Sequence, residues 1–235
     1  MKIYGKNALY AAIKAERKIE VVYLEQKTSL KEKKFIELLK DKKIKYKICD
    51  KKIIDKDFPG LNQGFGAIVE DYQYVDINTI IDPKKRQLFV LLDGLEDPHN
   101  LGAILRTADA FSVDAVVIPK NRSVKLNETV IKVSTGAIEY VNVCEVNNLV
   151  HTIALLKEKG FWIVGTDAKT DLEISNIKAD TSLAIIIGSE GFGMSRLVKE
   201  SCDYLVKIPM TGHVNSLNAS VSCGIVLNMV RHLQK

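Results

Sequence analysis

Two hydrophobic rhythms run along the chain. From residue 87 onward, short uninterrupted apolar runs recur: LFVLL (88–92), AVVI (115–118), VNVC (141–144), FWIVG (161–165), LAIII (183–187) and YLVKI (204–208). Helical segments separate them. Apolar runs without polar alternation suit strands buried on both faces, as in a parallel sheet covered by helices. The pattern predicts an α/β domain over 87–235 built around a parallel sheet. Before residue 73 the elements are shorter: a helix near 5–15, a strand near 20–24, a helix over 29–41, a strand over 45–49, a further helical stretch, and a strand ending NQGFGAIVE. Ser29 and Glu32 have the spacing of a capping box for the second helix. Leu30, Phe35, Ile36, Leu38 and Leu39 give that helix one apolar stripe. This predicts a small α/β domain over 1–72. The mixed polar stretch around Asp82-Pro83 reads as a linker over 73–86.

Length and composition agree with two folded domains: 235 residues, 46% of them hydrophobic. No apolar run approaches the roughly 18–20 residues that cross a bilayer, and the first residues lack a signal-peptide core. The expected location is cytoplasmic. Cys49, Cys144, Cys202 and Cys223 are scattered, which predicts free thiols. The four histidines, at 99, 151, 213 and 232, lack ligand spacing, so no metal is expected. Charge is unevenly shared. Residues 1–72 hold 17 Lys and Arg against 11 Asp and Glu; the remainder holds 17 against 18. The basic first third has two readings: a solvated lysine-rich surface, or a nucleic-acid-binding module on a neutral body.

Three polar clusters each follow an apolar strand, where open α/β sheets gather their ligand loops. The first, LDGLEDPHNLGAILRTADAF, places Asn100 at a helix start and Arg106 six residues on. Read alone, these are a cap and a surface arginine. The second, IIIGSEGFGMS, spaces Gly188, Gly191 and Gly193 unlike GxGxxG and lacks the lysine of a phosphate loop. Glu190 at its tip repels phosphate and suits a cationic or hydroxyl-bearing ligand. Read alone, this is a turn before a helix capped by Ser195. The third, IPMTGHVNSLNASVSCG, spends a row of small polar residues ahead of the last helix. Ser216 and Asn218 stand at its start, and Ala219, Ser220, Ser222, Cys223 and Gly224 follow. Such residues permit close backbone approach. Trp162, in an apolar strand, reads as core.

Taken in order, DPHNLGAILRTADAF, IIIGSEGFG and IPMTGHVNSLNASVSCGIVL resemble the three motifs of SpoU-type RNA ribose 2′-O-methyltransferases of the SPOUT class. The resemblance spans 87–235. It extends to IYGKNALYAAI, which is similar to the start of the ribosomal-protein-like substrate-binding domain in the subfamily that modifies 23S rRNA guanosine. Asn62-Gln63-Gly64 stands where relatives often carry His-Gln-Gly. The resemblance implies a deep trefoil knot at the C-terminus, S-adenosylmethionine as methyl donor, and a homodimer formed through the last helix. It implies a donor pocket made by Thr166, Gly188, Ile208 and Leu217. Around the reacting ribose it places Asn100, Arg106, Glu190, Ser216 and Asn218. In that scheme Arg106 contacts the nucleotide and helps activate the 2′-hydroxyl. The asparagines fix the loops, Ser216 bonds ribose or phosphate, and Glu190 anchors Arg106 or the third motif's backbone. The implied partner is 23S rRNA, with tRNA as the alternative. A non-catalytic RNA-binding protein of this fold, or a nucleotide-dependent oxidoreductase, are the competing readings; the glycine spacing counts against the second.

Overall fold

A computed structural model describes residues 1–234. The chain opens with β1 (Lys2–Tyr4), α1 (Lys6–Lys14), β2 (Ile19–Glu25), α2 (Gln26–Lys31), α3 (Lys33–Asp41), β3 (Tyr46–Cys49), α4 (Lys51–Asp57) and β4 (Phe65–Val69). The strands form one sheet in the order β1-β4-β2-β3. β4 runs antiparallel to both neighbours, while β2 and β3 are parallel. β1 was not anticipated: three residues carry too little pattern to read. Its Ile3 is buried with Leu9, Leu24, Phe35, Leu39 and Phe65. Gly66 must be glycine, because a Cβ there would stand 2.4 Å from the Phe58 ring.

The helix expected over 29–41 is two helices. Ser29 lies inside α2, buried, with its hydroxyl donating to the Gln26 carbonyl. Glu32 (φ −101°, ψ 48°) breaks the helix and pairs with Lys6 instead of closing a capping box. A distant lysine outcompetes the local partner. Asn62 is buried and organises its loop: its amide donates to Asp55 and the Phe58 carbonyl, and its oxygen accepts from Gly64 N–H.

The chain continues with α5 (Ile77–Ile80), β5 (Leu88–Asp93), α6 (Pro98–Ala110), β6 (Ala115–Pro119), α7 (Glu128–Ser134), β7 (Asn142–Val146), α8 (Leu149–Glu158), β8 (Trp162–Thr166), β9 (Leu183–Gly188), α9 (Arg196–Glu200), β10 (Tyr204–Val206) and α10 (Ala219–Leu233). By contacts, the first compact unit takes residues 1–73 together with 126–140, and the second takes 74–125 and 141–235. The inclusion of 126–140 in the first unit has a visible cause. Gly136 lies so near α1 that a Cβ would stand 2.4 Å from Ala11 Cβ, and Arg17 pairs with Glu139 at 2.7 Å.

All six predicted strands of the second unit are present and parallel, in the order β10-β8-β9-β5-β6-β7. Residues 88–92 and 183–187 are buried throughout, as uninterrupted apolar runs require. The 73–86 stretch is not free chain at its centre: Val75 N–H donates to the Val143 carbonyl, and Ile77 is buried in the core with Phe89, Ile153 and Phe161. Trp162 is 38% exposed and rests against Tyr204, so it is not core. α10 packs on α6, β9 and the turn Ile174–Asn176. Its Arg231 donates to the carbonyls of Phe111 and Ser112, just past the C-terminus of α6, where a cation is favoured. All four cysteines are free. Burial pushes the Cys144 and Cys223 thiols up to about 12 and Cys202 to about 11, so they stay protonated near neutral pH.

The Arg17–Glu139 pair is nearly closed off, with side-chain exposures of 9% and 7%. Arg17→Ala leaves a carboxylate without its counter-charge. The expected loss is about 3–5 kcal/mol, read as a lowered urea midpoint for the first unit by a probe confined to it.

Candidate functional site

The strand order reverses direction between β5 and β9: from β5 the chain steps outward to β6 and β7, then crosses to build β8, β9 and β10 on the other side. Such a reversal leaves a crevice at the carboxyl ends of the two strands, where ligands of open α/β sheets bind. β5 ends at Asp93 directly opposite Gly188, the end of β9. The first two polar clusters thus leave the sheet side by side.

The loop after β5 leads into α6. Asp97, not Asn100, is the N-cap: its carboxylate accepts from His99 N–H, and Pro98 occupies the first helical position. Proline suits that position because its missing N–H would be unpartnered there anyway. Asn100 is therefore inside the first turn, buried, and free to reach across. Its amide donates to Glu190 Oε1 at 2.9 Å. Asn218, 28 residues beyond Glu190, donates to the same oxygen at 2.5 Å and to Asn100 Oδ1 at 2.9 Å. Ala219 N–H also reaches Glu190, at 3.4 Å. The Asn218 oxygen caps α10, accepting from Ser220 and Val221 N–H. One carboxylate thus ties all three motifs together.

The second loop is a small hairpin. Ser189 and Gly193 exchange both backbone hydrogen bonds, at 3.1 and 2.9 Å. Gly188 permits this return: a Cβ there would stand 2.3 Å from the Gly193 carbonyl carbon. Asp93 accepts from Ser195 N–H at 2.6 Å and fixes the far end. Ser195 does precede α9, though its hydroxyl makes no capping bond.

The third segment leaves β10 at Val206. Lys207 N–H bonds the Leu172 carbonyl, and after that, among the described residues, no backbone group of 208–217 hydrogen-bonds within the chain. These ten residues therefore offer ten C=O groups and, Pro209 having none, nine N–H groups to solvent or to a ligand. Five of them, Ile208, Met210, Asn215, Ser216 and Leu217, line a cavity of about 430 Å³ whose lining also includes Thr166, Gly188 and Glu190, so that all four residues expected to hold a cofactor, Thr166, Gly188, Ile208 and Leu217, lie on it. Ser216 is exposed. At Gly224 the expected close approach is absent: a Cβ would sit 3.7 Å from Thr107 Cγ2, an ordinary contact, because α6 meets α10 there through a side chain.

Arg106 is not part of the cluster. Six residues along a helix carry it about 9 Å beyond Asn100 and about 120° around the axis. It is exposed, and among the described residues it has no hydrogen bond or ion pair. Glu190 anchors the third motif rather than Arg106.

Sequence reasoning missed Asp167, Lys169, Lys199 and Met210, which also line the cavity. Asp167 pairs with Lys199. Burial alone would raise its carboxyl, but Lys199 and the Lys169 N–H outweigh burial and hold it below the usual range. Asp167 follows directly on Thr166, so its place past a strand end was a usable signal. The pairing with Lys199, 32 positions on in α9, was not.

Comparison with known proteins follows the same lines. The SpoU rRNA Methylase family matches residues 87–228, and a domain described as RNA 2′-O ribose methyltransferase substrate binding matches residues 2–75. A protein of Staphylococcus aureus (strain COL), named for the TrmH family of tRNA/rRNA methyltransferases, is 47% identical over 232 residues, spanning 96% of this chain and 93% of its own. YacO of Bacillus subtilis (strain 168), named for the same family, is 43% identical over 230 residues, spanning 96% and 92%. The fold matches the SpoU methyltransferase AviRb from Streptomyces viridochromogenes in complex with AdoMet, with a TM-score of 0.84 at 23% identity over 99% of this chain and 90% of that one.

Glu190→Ala leaves the Asn100 and Asn218 amides without their shared acceptor. Hydrogen bonds to a charged acceptor are worth about 1.5–3 kcal/mol each. The second unit is expected to lose at least one such bond's worth of stability in urea titration, and the first-turn amides of α10, 219–222, to gain faster amide exchange.

Proposed function

We infer that this chain, which belongs to the SpoU methylase family, methylates the ribose 2′-hydroxyl of a guanosine in 23S rRNA. It is an RNA methyltransferase that uses S-adenosylmethionine. The observation that carries the reading is the convergence of Asn100 and Asn218 on one carboxylate oxygen of Glu190, beside a cavity bordered in part by unpaired backbone.

The cavity fits such a donor on three counts. Its volume lies within the range of small-molecule sites. The free N–H and C=O groups of 208–217 match an adenine's edge, which asks for one donor and one acceptor. Ile208 and Leu217 supply apolar surface for the ring, while Thr166 and Gly188 close the strand ends. When bound, S-adenosylmethionine supplies a methyl group already activated on a sulfonium, so the chain's own task is placement and proton handling. Placement comes from the fixed loops: holding reacting groups in near-attack geometry removes several kcal/mol of barrier.

Arg106 contacts the target nucleotide in this reading. A guanidinium stays protonated in proteins, so Arg106 serves as a donor that orients the hydroxyl and balances developing negative charge. The hydroxyl proton passes to a substrate phosphate oxygen or to water. Ser216 bonds the ribose or its phosphate. The basic first unit, matched over 2–75 by a substrate-binding domain, holds the RNA. The separate basic unit favours rRNA over tRNA.

The domain division we propose is 1–72 for RNA binding, 73–86 as the connection and 87–235 for catalysis, with 126–140 a segment of the latter that packs in the first compact unit. The C-terminal segment is threaded as a trefoil knot, a reading supported by the likeness to AviRb. A homodimer forms through α10, where Val221 is 49% exposed, near the also exposed Val214 of the preceding loop.

Arg106→Ala is expected to lower methyl transfer about a hundredfold or more while leaving calorimetric binding of S-adenosylmethionine unchanged. Ribose-methylation mapping of rRNA and tRNA from cells with and without this protein is expected to show one 23S rRNA guanosine losing its mark. Loss of a tRNA mark instead overturns the rRNA assignment.

A further inference from the structure

The hairpin after β9 carries a side chain that the site as described does not use. Phe192 is 98% exposed, the most exposed large hydrophobic residue among those described. It is not a loose loop residue. Ser189 and Gly193 lock the hairpin beneath it with two backbone bonds, and Phe192 N–H itself reaches Ser189 Oγ at 3.4 Å. Two positions before it, Glu190 is fixed by Asn100 and Asn218. Its neighbours Gly191 and Gly193 present no side chains, and a Cβ on either would meet nothing within 4 Å. Both faces of the ring are thereby left open. The ring lies on the rim of the cavity that the hairpin borders, a rim that also bears the exposed Lys169 ammonium.

A phenyl ring held in water with nothing packed on it forgoes burial worth about 1.5–3 kcal/mol. A rigid, two-faced aromatic on a cavity that also carries a lysine is what unstacked nucleobases use: they lie on aromatic faces while the backbone meets positive charge. We propose that Phe192 is a specificity-determining residue that stacks on a nucleobase of the RNA substrate, the target base or its immediate neighbour, and so sets the ribose at the cavity mouth. This rests on the methyltransferase reading and deepens it. It also requires the target segment to be unpaired or flipped out when bound, because a base inside a duplex exposes no face.

The test uses the full chain, with 23S rRNA and bulk tRNA extracted from cells lacking the protein as substrates. Phe192→Ala is expected to lower kcat/KM for the RNA about ten- to hundredfold, mostly through KM. Calorimetric affinity for S-adenosylmethionine and the sedimentation mass stay at wild-type values. Phe192→Trp is expected to restore the rate, and Phe192→Leu not to. Wild-type kinetics in Phe192→Ala, or equal rescue by leucine, overturns the proposal. Weakened S-adenosylmethionine binding would make the ring a cover for the donor, and a lower mass would make it a subunit contact; either result also overturns it. Failure of the reading beneath is distinct: there the wild-type chain itself binds no S-adenosylmethionine and methylates neither RNA.

Discussion

A single carboxylate oxygen holds this site together. Glu190 Oε1 accepts from Asn100, Asn218 and the Ala219 amide, groups that enter from two other stretches of chain, the first turn of α6 and the start of α10. The Asn100 and Asn218 side chains are also bonded to each other. An ionised acceptor satisfied by several neutral donors needs no counter-ion, and each such bond is stronger than one between neutral groups. The same Asn218 side chain caps α10 with its oxygen. Displacing Glu190 would therefore loosen the start of the last helix together with two loops.

The sheet makes that meeting possible. β8, β9 and β5 are neighbours, all parallel, so Gly188 and Asp93 end opposite each other and Thr166 ends one residue short of them. Two glycines let the chain close over these ends. A Cβ on Gly165 would stand 2.7 Å from Cys202 Sγ and from Met194 Cε, and one on Gly188 would strike the Gly193 backbone. These are steric demands of the crossing itself. The loops need no flexibility in order to turn; they need room to pass. With the hairpin held at both ends, by Asp93 on Ser195 and by the asparagines on Glu190, the cavity wall is set before any ligand arrives, which lowers the ordering cost of binding.

What the sequence disclosed follows from the range of the interactions involved. The six strands of the second unit were legible because burial on both faces writes continuous apolar runs. The three motifs were legible as polar interruptions at strand ends. Their meeting on Glu190 was not, since nothing local distinguishes a carboxylate that bonds two distant asparagines from one that faces water. The misread caps have a similar cause. Asn100 and Ser29 are both good caps by type, but Asp97 with Pro98 fits the helix start better, and Lys6 takes Glu32 away. Residues 126–140 read as part of the second domain by position, yet Gly136 and Glu139 join the first unit through Ala11 and Arg17. The ten residues of 208–217 were visible as an oddly polar loop. That their backbone stays unpaired within the chain is a fact of the tertiary structure alone.

The separation of Arg106 from the carboxylate has a chemical consequence. Had Glu190 paired with Arg106, the two charges would offset each other and the guanidinium donors would be taken up. Instead the carboxylate is satisfied by neutral amides, and the arginine keeps its full donor set, exposed on the side of α6 away from Asn100. Exposure costs a guanidinium little, because it remains hydrated. Each of its five N–H groups is available to an oxygen that brings negative charge. The asparagines hold the loops, and the arginine takes no part in holding them.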